Sequence, residues 1–292
     1  LSYLGYNINM RIAILGYGVE GKSAEKFLKK KFPAARSEIR DIKFQGKEYL
    51  KNLEKFDMVV RSPGIPYLSP EIQKAKKKGV EITSTTTLFF ENAKGILIGI
   101  TGTKGKGTTA TLLYNILKAA KKDAHLIGNI GIPMLGELPK LKEGSINILE
   151  LSSFQLQDMD MSPHIAVVLD ISPDHLNYHK SFKEYLDAKA KLVENPLSRA
   201  QILQGHGYFS VEKFLVLAPS RSQGLVKPTP SPMVFFFPDN KFSNQIAQRS
   251  KGRKITVLPD KNLALKIPGA HNIKNASMAT AISRIFDVNE KI

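Results

Sequence analysis

Residues 99–113 read GITGTKGKGTTATLL, a glycine-rich loop with a lysine placed just before an apolar, helix-spaced run. Backbone N–H groups in such a loop and at the following helix start can cradle phosphates, and Lys106 can neutralise charge on a transferring phosphoryl group. The stretch departs from the G-x-x-x-x-G-K-[ST] pattern in two places. Ile100 stands where the first glycine belongs, and Gly107 where Ser or Thr would hold Mg²⁺. What survives is Gly102-Thr103-Lys104-Gly105-Lys106, with Thr108 and Thr109 following. The bland alternative is a glycine-rich helix entry with no ligand; the strand–loop–helix context and the placed lysine favour phosphate.

Three other groups of residues carry potential chemistry. The stretch SINILELSSFQL reads as a strand ending in Glu150, with Ser152 and Ser153 after it. A carboxylate at the carboxyl end of a strand beside a phosphate loop suits Mg²⁺, a hard cation that prefers oxygen and keeps several waters. A strand over IAVVLDIS leads to Asp174 and His175, and the helix SFKEYLDAKAKLVEN, with Ser181 and Glu184 placed as in a capping box, carries Lys189. Near the start, Gly16, Gly18 and Gly21 form a G-x-G-x-x-G turn around Val19 and Glu20, and Ser62-Pro63-Gly64 forms a second turn after a strand. A lone glycine turn or a lone histidine after a strand is more often structural, so the ordered series matters more than any member.

The elements that must position these groups fall into two segments. Residues 10–92 alternate strand and helix: Ile12, Ile14 and Leu15 in a strand, Ala24, Phe27 and Leu28 at helical spacing, Met58–Val60 as a second strand, a helix capped by Ser69 with Pro70 in its first turn, and a short strand VEIT. The segment is about half of a full dinucleotide domain, so a mononucleotide or nucleotide-sugar fits it better than NAD. The second segment starts with a strand over Ile96–Ile100 and a helix whose buried stripe is Leu112, Leu113, Ile116 and Leu117. The nine residues before Met10 read as an extension upstream of the fold.

Composition sets outer bounds. The 292 residues are 42% hydrophobic with a net charge of +17 and no cysteine, which excludes disulfides, thiolate metal sites and a cysteine nucleophile. No apolar run is long enough for a membrane span, and a cytoplasmic monomer is the expectation. The charge favours anionic partners, but runs such as KAKKKGV lack interleaved aromatics and read as solvated helix faces, so nucleic acid is not the expected partner.

The stretches ILGYGVEGKSA, VRSPGIP, GITGTKGKGTT, GNIG, ELSSFQL, SPDHLNYH, EYLDAKAKLVEN and IPGAHNIKNASMA, in this order, resemble the Mur ligase family over residues 10–196 and again from about 266 to 286. ELSSFQL is most similar to the branch that adds D-glutamate to UDP-N-acetylmuramoyl-L-alanine. The resemblance implies an α/β protein: a Rossmann-like, UDP-binding domain over residues 1–92, then a phosphate-loop-type, ATP-binding central domain with a mostly parallel sheet over 93–292. It implies that Gly18, Val19, Glu20, Gly21, Ser62, Pro63 and Gly64 hold the UDP moiety. By the same resemblance Gly102, Thr103, Lys104, Gly105, Lys106, Gly107 and Thr108 wrap the ATP phosphates, and Asn272 and Asn275 flank the adenine. Asn129 and His175 would meet the muramoyl substrate and metal, and Glu150 would bind Mg²⁺. Lys189 matches a family lysine that is carbamylated and becomes a metal ligand. Lys106, His175 and Lys189 are then the catalytic set of an ATP-driven amide-forming reaction. With Gly107 lacking a hydroxyl, Thr108 is the expected substitute on the metal.

Two departures accompany the resemblance. The family's third domain, which binds the incoming amino acid, is expected to be absent from this chain, which would then turn over poorly. Residues 197–237 break the strand–helix alternation: they carry one acidic residue, Glu212, and prolines at 228, 230 and 232. A loop-rich insertion, a basic surface and a shifted reading frame all fit that segment.

Overall fold

The computed structural model describes residues 10–128, 133–195, 232–263, 265 and 269–288. They form two compact units, one of the described residues within 1–92 and 133–139, the other of those within 93–132 and 140–292.

In the first unit, strands β1 (Arg11–Leu15), β2 (Arg36–Arg40), β3 (Met58–Arg61) and β4 (Glu81–Ser84) form a sheet in the order β2-β1-β3-β4. All three pairings are parallel. Helices α1 (Val19–Lys31), α2 (Ile42–Gln45), α3 (Pro70–Lys77) and α4 (Thr85–Asn92) connect or follow the strands. Central strands β1 and β3 are buried and, apart from the terminal Arg11 and Arg61, apolar because both faces are covered, as parallel sheets require. Ala13, Leu15, Val59, Ile72 and Ala75 share one core. Gly21 is obligatory in α1: a Cβ there would stand 1.9 Å from the Gly16 carbonyl oxygen.

In the second unit, β5 (Ile96–Thr101), β6 (Ala124–Gly128), β7 (Ile146–Glu150), β8 (Ile165–Val168), β9 (Met233–Phe236) and β10 (Lys254–Thr256) pair in the order β10-β9-β8-β5-β7-β6, again all parallel. After β5 comes α5 (Lys106–Ala119); the later helices here are α7 (Ser153–Leu156), α8 (Phe182–Glu194), α9 (Lys241–Gln248) and α10 (Ala270–Ser283), while α6 (Met134–Glu137) belongs to the first unit. The chain leaves β5 toward β7 and β6 on one side and later fills β8, β9 and β10 on the other. The carboxyl ends of β5 and β8 therefore flank the point where strand order reverses, where open α/β sheets bind ligands. Its core joins Ile98, Ile100, Leu113, Ile148, Val167 and Phe235 with Met278 and Ile282 of α10.

Several local expectations need correction. Met233–Phe236, inside the stretch 197–237 set aside as atypical, is a buried core strand paired with β8; the rest of that stretch up to 231 lies outside the described residues. Ser69 precedes α3 but does not cap it with its side chain; its hydroxyl turns back to the Pro66 carbonyl. At α8, Ser181 accepts from the Glu184 N–H, yet the Glu184 carboxylate accepts from the Lys180 N–H and Gln157 instead of closing the box. The reciprocal capping box is at α7, between Ser152 and Gln155. In α5 the fully buried stripe is Thr109, Ala110, Leu113 and Leu117, with Leu112 and Ile116 only partly covered.

Candidate functional site

The first unit's two turns are built against each other. Gly16 takes φ +82°, and its carbonyl oxygen accepts from Ser62 Oγ at 3.1 Å, while the Ser62 N–H donates to Leu15 at 2.9 Å. Gly18 starts α1 with nothing within 4 Å of where its Cβ would be, and Val19 is exposed beside it, so this helix start is open. The Tyr17 N–H donates to Asp41 at the end of β2; backbone N–H groups of Lys43 and then Tyr17 hold that carboxyl below the usual aspartate range. Glu20, in the first turn of α1, is partly buried, and burial raises its pKa. Pro63 and Gly64 are shaped by a residue the sequence reading missed. Arg61 is fully buried, and its Nη1 donates to the carbonyls of Ile65 (2.7 Å), Pro63 (3.1 Å) and Ser62 (3.4 Å).

In the second unit, the loop after β5 is locked onto the loop after β8. Thr103 N–H donates to the Asp170 carbonyl at 2.9 Å, and Thr103 Oγ1 donates to Ser172 O, accepts from Ser172 N–H and meets Tyr185 Oη at 2.9 Å. Gly102 has no room for a side chain, since a Cβ would stand 2.7 Å from Leu169 Cβ. Gly105, at φ +84°, turns the chain into α5, and Asn275 Oδ1 occupies the space beside it, 2.4 Å from a notional Cβ. Asn275 also accepts from the buried Thr109 hydroxyl at 3.3 Å. Asn275 thus braces the loop backbone from α10; Asn272, one turn earlier, is partly exposed.

Lys106 and Lys189 converge here. Lys106 Nζ donates to the carbonyls of Thr103 (3.1 Å) and Gly102 (3.2 Å), and Lys189 Nζ donates to Gly102 at 2.9 Å and Thr101 Oγ1 at 3.3 Å. Burial lowers the Lys106 pKa, opposed by Glu150 and Asp174. Lys189 is pushed down to about 7 by burial and then by repulsion from Lys106, with Tyr185 beneath its ammonium, 4.6 Å from the ring centroid.

Glu150 ends β7 and is 9% exposed. Its Oε2 lies 3.1 Å from where a Gly107 Cβ would be, so the carboxylate sits against the first turn of α5. A helix advances about 100° per residue, so the exposed Thr108 side chain leaves α5 on a different side from the one facing Glu150. His175 takes φ +53°, half-exposed, with its N–H on Asp174 Oδ1 and its ring 5.0 Å from Phe154. Among the described residues no three His, Asp or Glu side chains form a metal-binding group. Asn129 lies outside the described residues.

Two further residues were not singled out from sequence. His179 is buried among Phe154, Tyr178 and Tyr185, with Nε2 2.9 Å from Ser153 Oγ and Nδ1 3.2 Å from Glu184; burial lowers its pKa. Lys274 of α10 binds Asp170 (2.9 and 3.1 Å) and Asp239 (2.7 Å), joining the loops after β8 and β9. Burial opposes its charge, and the two carboxylates outweigh that and raise its pKa.

A strand–glycine loop–helix at the reversal point of a parallel sheet, with lysines converging on the loop and a carboxylate on the neighbouring strand, defines an α/β protein of the phosphate-loop class. The Mur ligase middle domain model matches residues 100–283, and the chain belongs to the Mur ligase family. The UDP-N-acetylmuramoylalanine–D-glutamate ligase of Acetivibrio thermocellus is 34% identical over 94% of this chain and 61% of its own length. That of Ruminiclostridium cellulolyticum is 32% identical over 94% of this chain and 58% of its own. The chain therefore spans about three fifths of these relatives. The fold is shared with UDP-N-acetylmuramate:L-alanyl-gamma-D-glutamyl-meso-diaminopimelate ligase from Neisseria meningitides, at TM-score 0.52 and 14% identity over 96% of this chain and 94% of that one. No helix among the described residues is long and apolar enough to cross a membrane.

Proposed function

We propose that this chain serves an ATP-dependent, ADP-forming ligase that joins D-glutamate to UDP-N-acetylmuramoyl-L-alanine in peptidoglycan precursor synthesis, as a cytoplasmic monomer. The observation that carries the reading is the convergence of Lys106, Lys189 and Glu150 around the loop of residues 102–107. The full-length D-glutamate ligases it is similar to supply the substrate.

In this reading the substrate carboxylate attacks the γ-phosphorus of ATP, ADP leaves, and the D-glutamate amine attacks the resulting acyl phosphate. Phosphate departs and the amine loses a proton. The chain's residues bring two anions together. Loop N–H groups and Lys106 hold the phosphates, and Lys106 stabilises charge on the transferring group. Mg²⁺, when bound, would screen the same repulsion; Glu150 would hold it, consistent with a cation that takes one or two carboxylates plus phosphate oxygens. Lys189 is suited to carbamylation, since its depressed pKa leaves neutral amine to attack CO₂, and the carbamate would replace repulsion with attraction toward Lys106. His175 would face the acyl substrate, a role also read for Asn129, which is outside the described residues, with Asn272 and Asn275 at the adenine. The open start of α1 and the Ser62–Gly64 turn take the UDP moiety.

The test is phosphate release from ATP in the presence of UDP-N-acetylmuramoyl-L-alanine, comparing D-glutamate with L-amino acids. Release that requires D-glutamate supports the assignment. Release driven by an L-amino acid moves the chain to a sister ligase, and no nucleotide binding removes the reading.

A further inference from the structure

Gly107 is the residue that the loop pattern does not explain. Phosphate loops of this type place a Ser or Thr hydroxyl there, and together with a strand-end carboxylate it holds the nucleotide's cation. Two oxygens in neighbouring positions of an octahedral magnesium shell stand about 3 Å apart. In this chain the Gly107 Cβ position is 3.1 Å from Glu150 Oε2, so a hydroxyl carried on that Cβ would stand beside the carboxylate, within reach of such a pair. Glycine leaves Glu150 alone in it. Thr108 does not restore the pair, because it leaves the helix on another side and is exposed. The loop instead carries two lysines, Lys104 and Lys106, on either side of Gly105.

We infer that this chain binds nucleoside triphosphate with little help from a divalent cation: Gly107 removes the loop's oxygen ligand, Glu150 closes against α5, and Lys104 and Lys106 neutralise the phosphates. The inference rests on the nucleotide-binding reading above and concerns the same site. A triphosphate neutralised by ammonium groups gains less from a cation than one facing a bare loop hydroxyl.

The experiment is calorimetric titration of the full chain with the β,γ-imido analogue of ATP, in EDTA and in millimolar MgCl₂. The expected result is a change of less than about threefold in affinity on adding Mg²⁺, whereas Gly107→Ser gains about tenfold or more, the scale on which single groups around a metal act. Gly107 has ordinary helical backbone, and the nearest atom to an added Cβ is the end of the Glu150 side chain, which needs to give by only a few tenths of an ångström, so the variant keeps its fold and the carboxylate stays beside the new hydroxyl. Gly107→Ala adds the Cβ without the hydroxyl and should leave the cation effect small. A tenfold or greater Mg²⁺ effect in the unaltered chain overturns the inference; if Thr108→Val abolishes that effect, Thr108 is the ligand. A Gly107→Ser variant indistinguishable from the unaltered chain also overturns it. Failure of the analogue to bind under either condition removes the nucleotide reading itself, and this inference with it.

Discussion

Lys106 and Lys189 donate to the same oxygen, the carbonyl of Gly102, at 3.2 and 2.9 Å. Burial, and after it repulsion between the two ammonium groups that share this acceptor, push Lys189 down to about 7. Replacing Lys106 by Met should therefore move Lys189 upward, although burial, the larger cause, keeps it below an ordinary lysine. NMR titration of ¹³C-labelled lysine side chains reads this directly. An unchanged Lys189 titration would show that the shift comes from burial alone. The same variant should weaken binding of the ATP analogue by about tenfold or more, because a charge-assisted contact to phosphate is lost.

The glycines at the start of α1 should separate structure from binding. Gly21→Ala places a Cβ 1.9 Å from the Gly16 carbonyl oxygen, a collision with backbone. It should cost about 2–4 kcal/mol of stability. Gly18→Ala meets nothing within 4 Å and has ordinary negative φ, so thermal unfolding should be little changed. If the UDP phosphates approach this helix start, Gly18→Ala should weaken UDP binding. Calorimetry with UDP on both variants decides the matter, and unaltered affinity in Gly18→Ala would place the phosphates elsewhere.

Arg61 should behave as a buried brace. Its guanidinium satisfies three carbonyls of the turn after β3. Arg61→Leu leaves them without that donor and should destabilise the first unit by about 2–4 kcal/mol. Arg61→Lys keeps a charged donor but places it on a differently shaped, more strongly hydrated head group, and should recover only part of the loss. Chemical denaturation of the three proteins checks the order.

His179 gives a pH dependence with a definite sign. Its folded-state pKa lies below 6.5 because burial disfavours the charged ring, despite Glu184. The unfolded chain therefore binds the proton more readily. The stability tied to the neutral ring is complete above about 6.5 and is lost as pH falls toward the folded pKa. Unfolding midpoints measured from pH 7.5 down to 5 should decline, and His179→Gln should flatten that part of the curve. A slope identical in the variant would assign it to other groups.

The legibility of this chain in sequence followed chemistry that is local along the chain. Lys106, Glu150 and Lys189 could be picked out because a loop, a strand end and a helix each announce themselves over a few residues, and the structure brings Lys106 and Lys189 onto one carbonyl and Glu150 onto the same helix start. Strand β2, RSEIR, escaped notice because it is a sheet edge whose residues are all at least partly exposed, so nothing forces apolar alternation. Helix α4 escaped because it opens with three threonines of poor helix propensity; burial of Leu88, Phe89 and Phe90 overrides them. Lys274 looked like one more lysine in a basic chain. Its partner Asp170 lies 104 residues away, and only the sheet order brings their loops together.

Helix α6 has a consequence for how the chain is made. Residues 133–139 belong to the first unit, where α6 packs on α1 and α4, although the intervening stretch from Ala93 to Ile132 belongs to the second. During synthesis, then, the amino-terminal unit cannot be finished when its last strand and helix emerge. It must wait for residue 139, a delay of a few seconds at about 5–20 residues per second. Meanwhile the surface that α6 will cover on α1 and α4 stays open to the nascent chain's surroundings. A fragment cut at Asn92 would carry that uncovered surface permanently, so the natural boundary for expressing the first unit is not the one that the order of strands suggests.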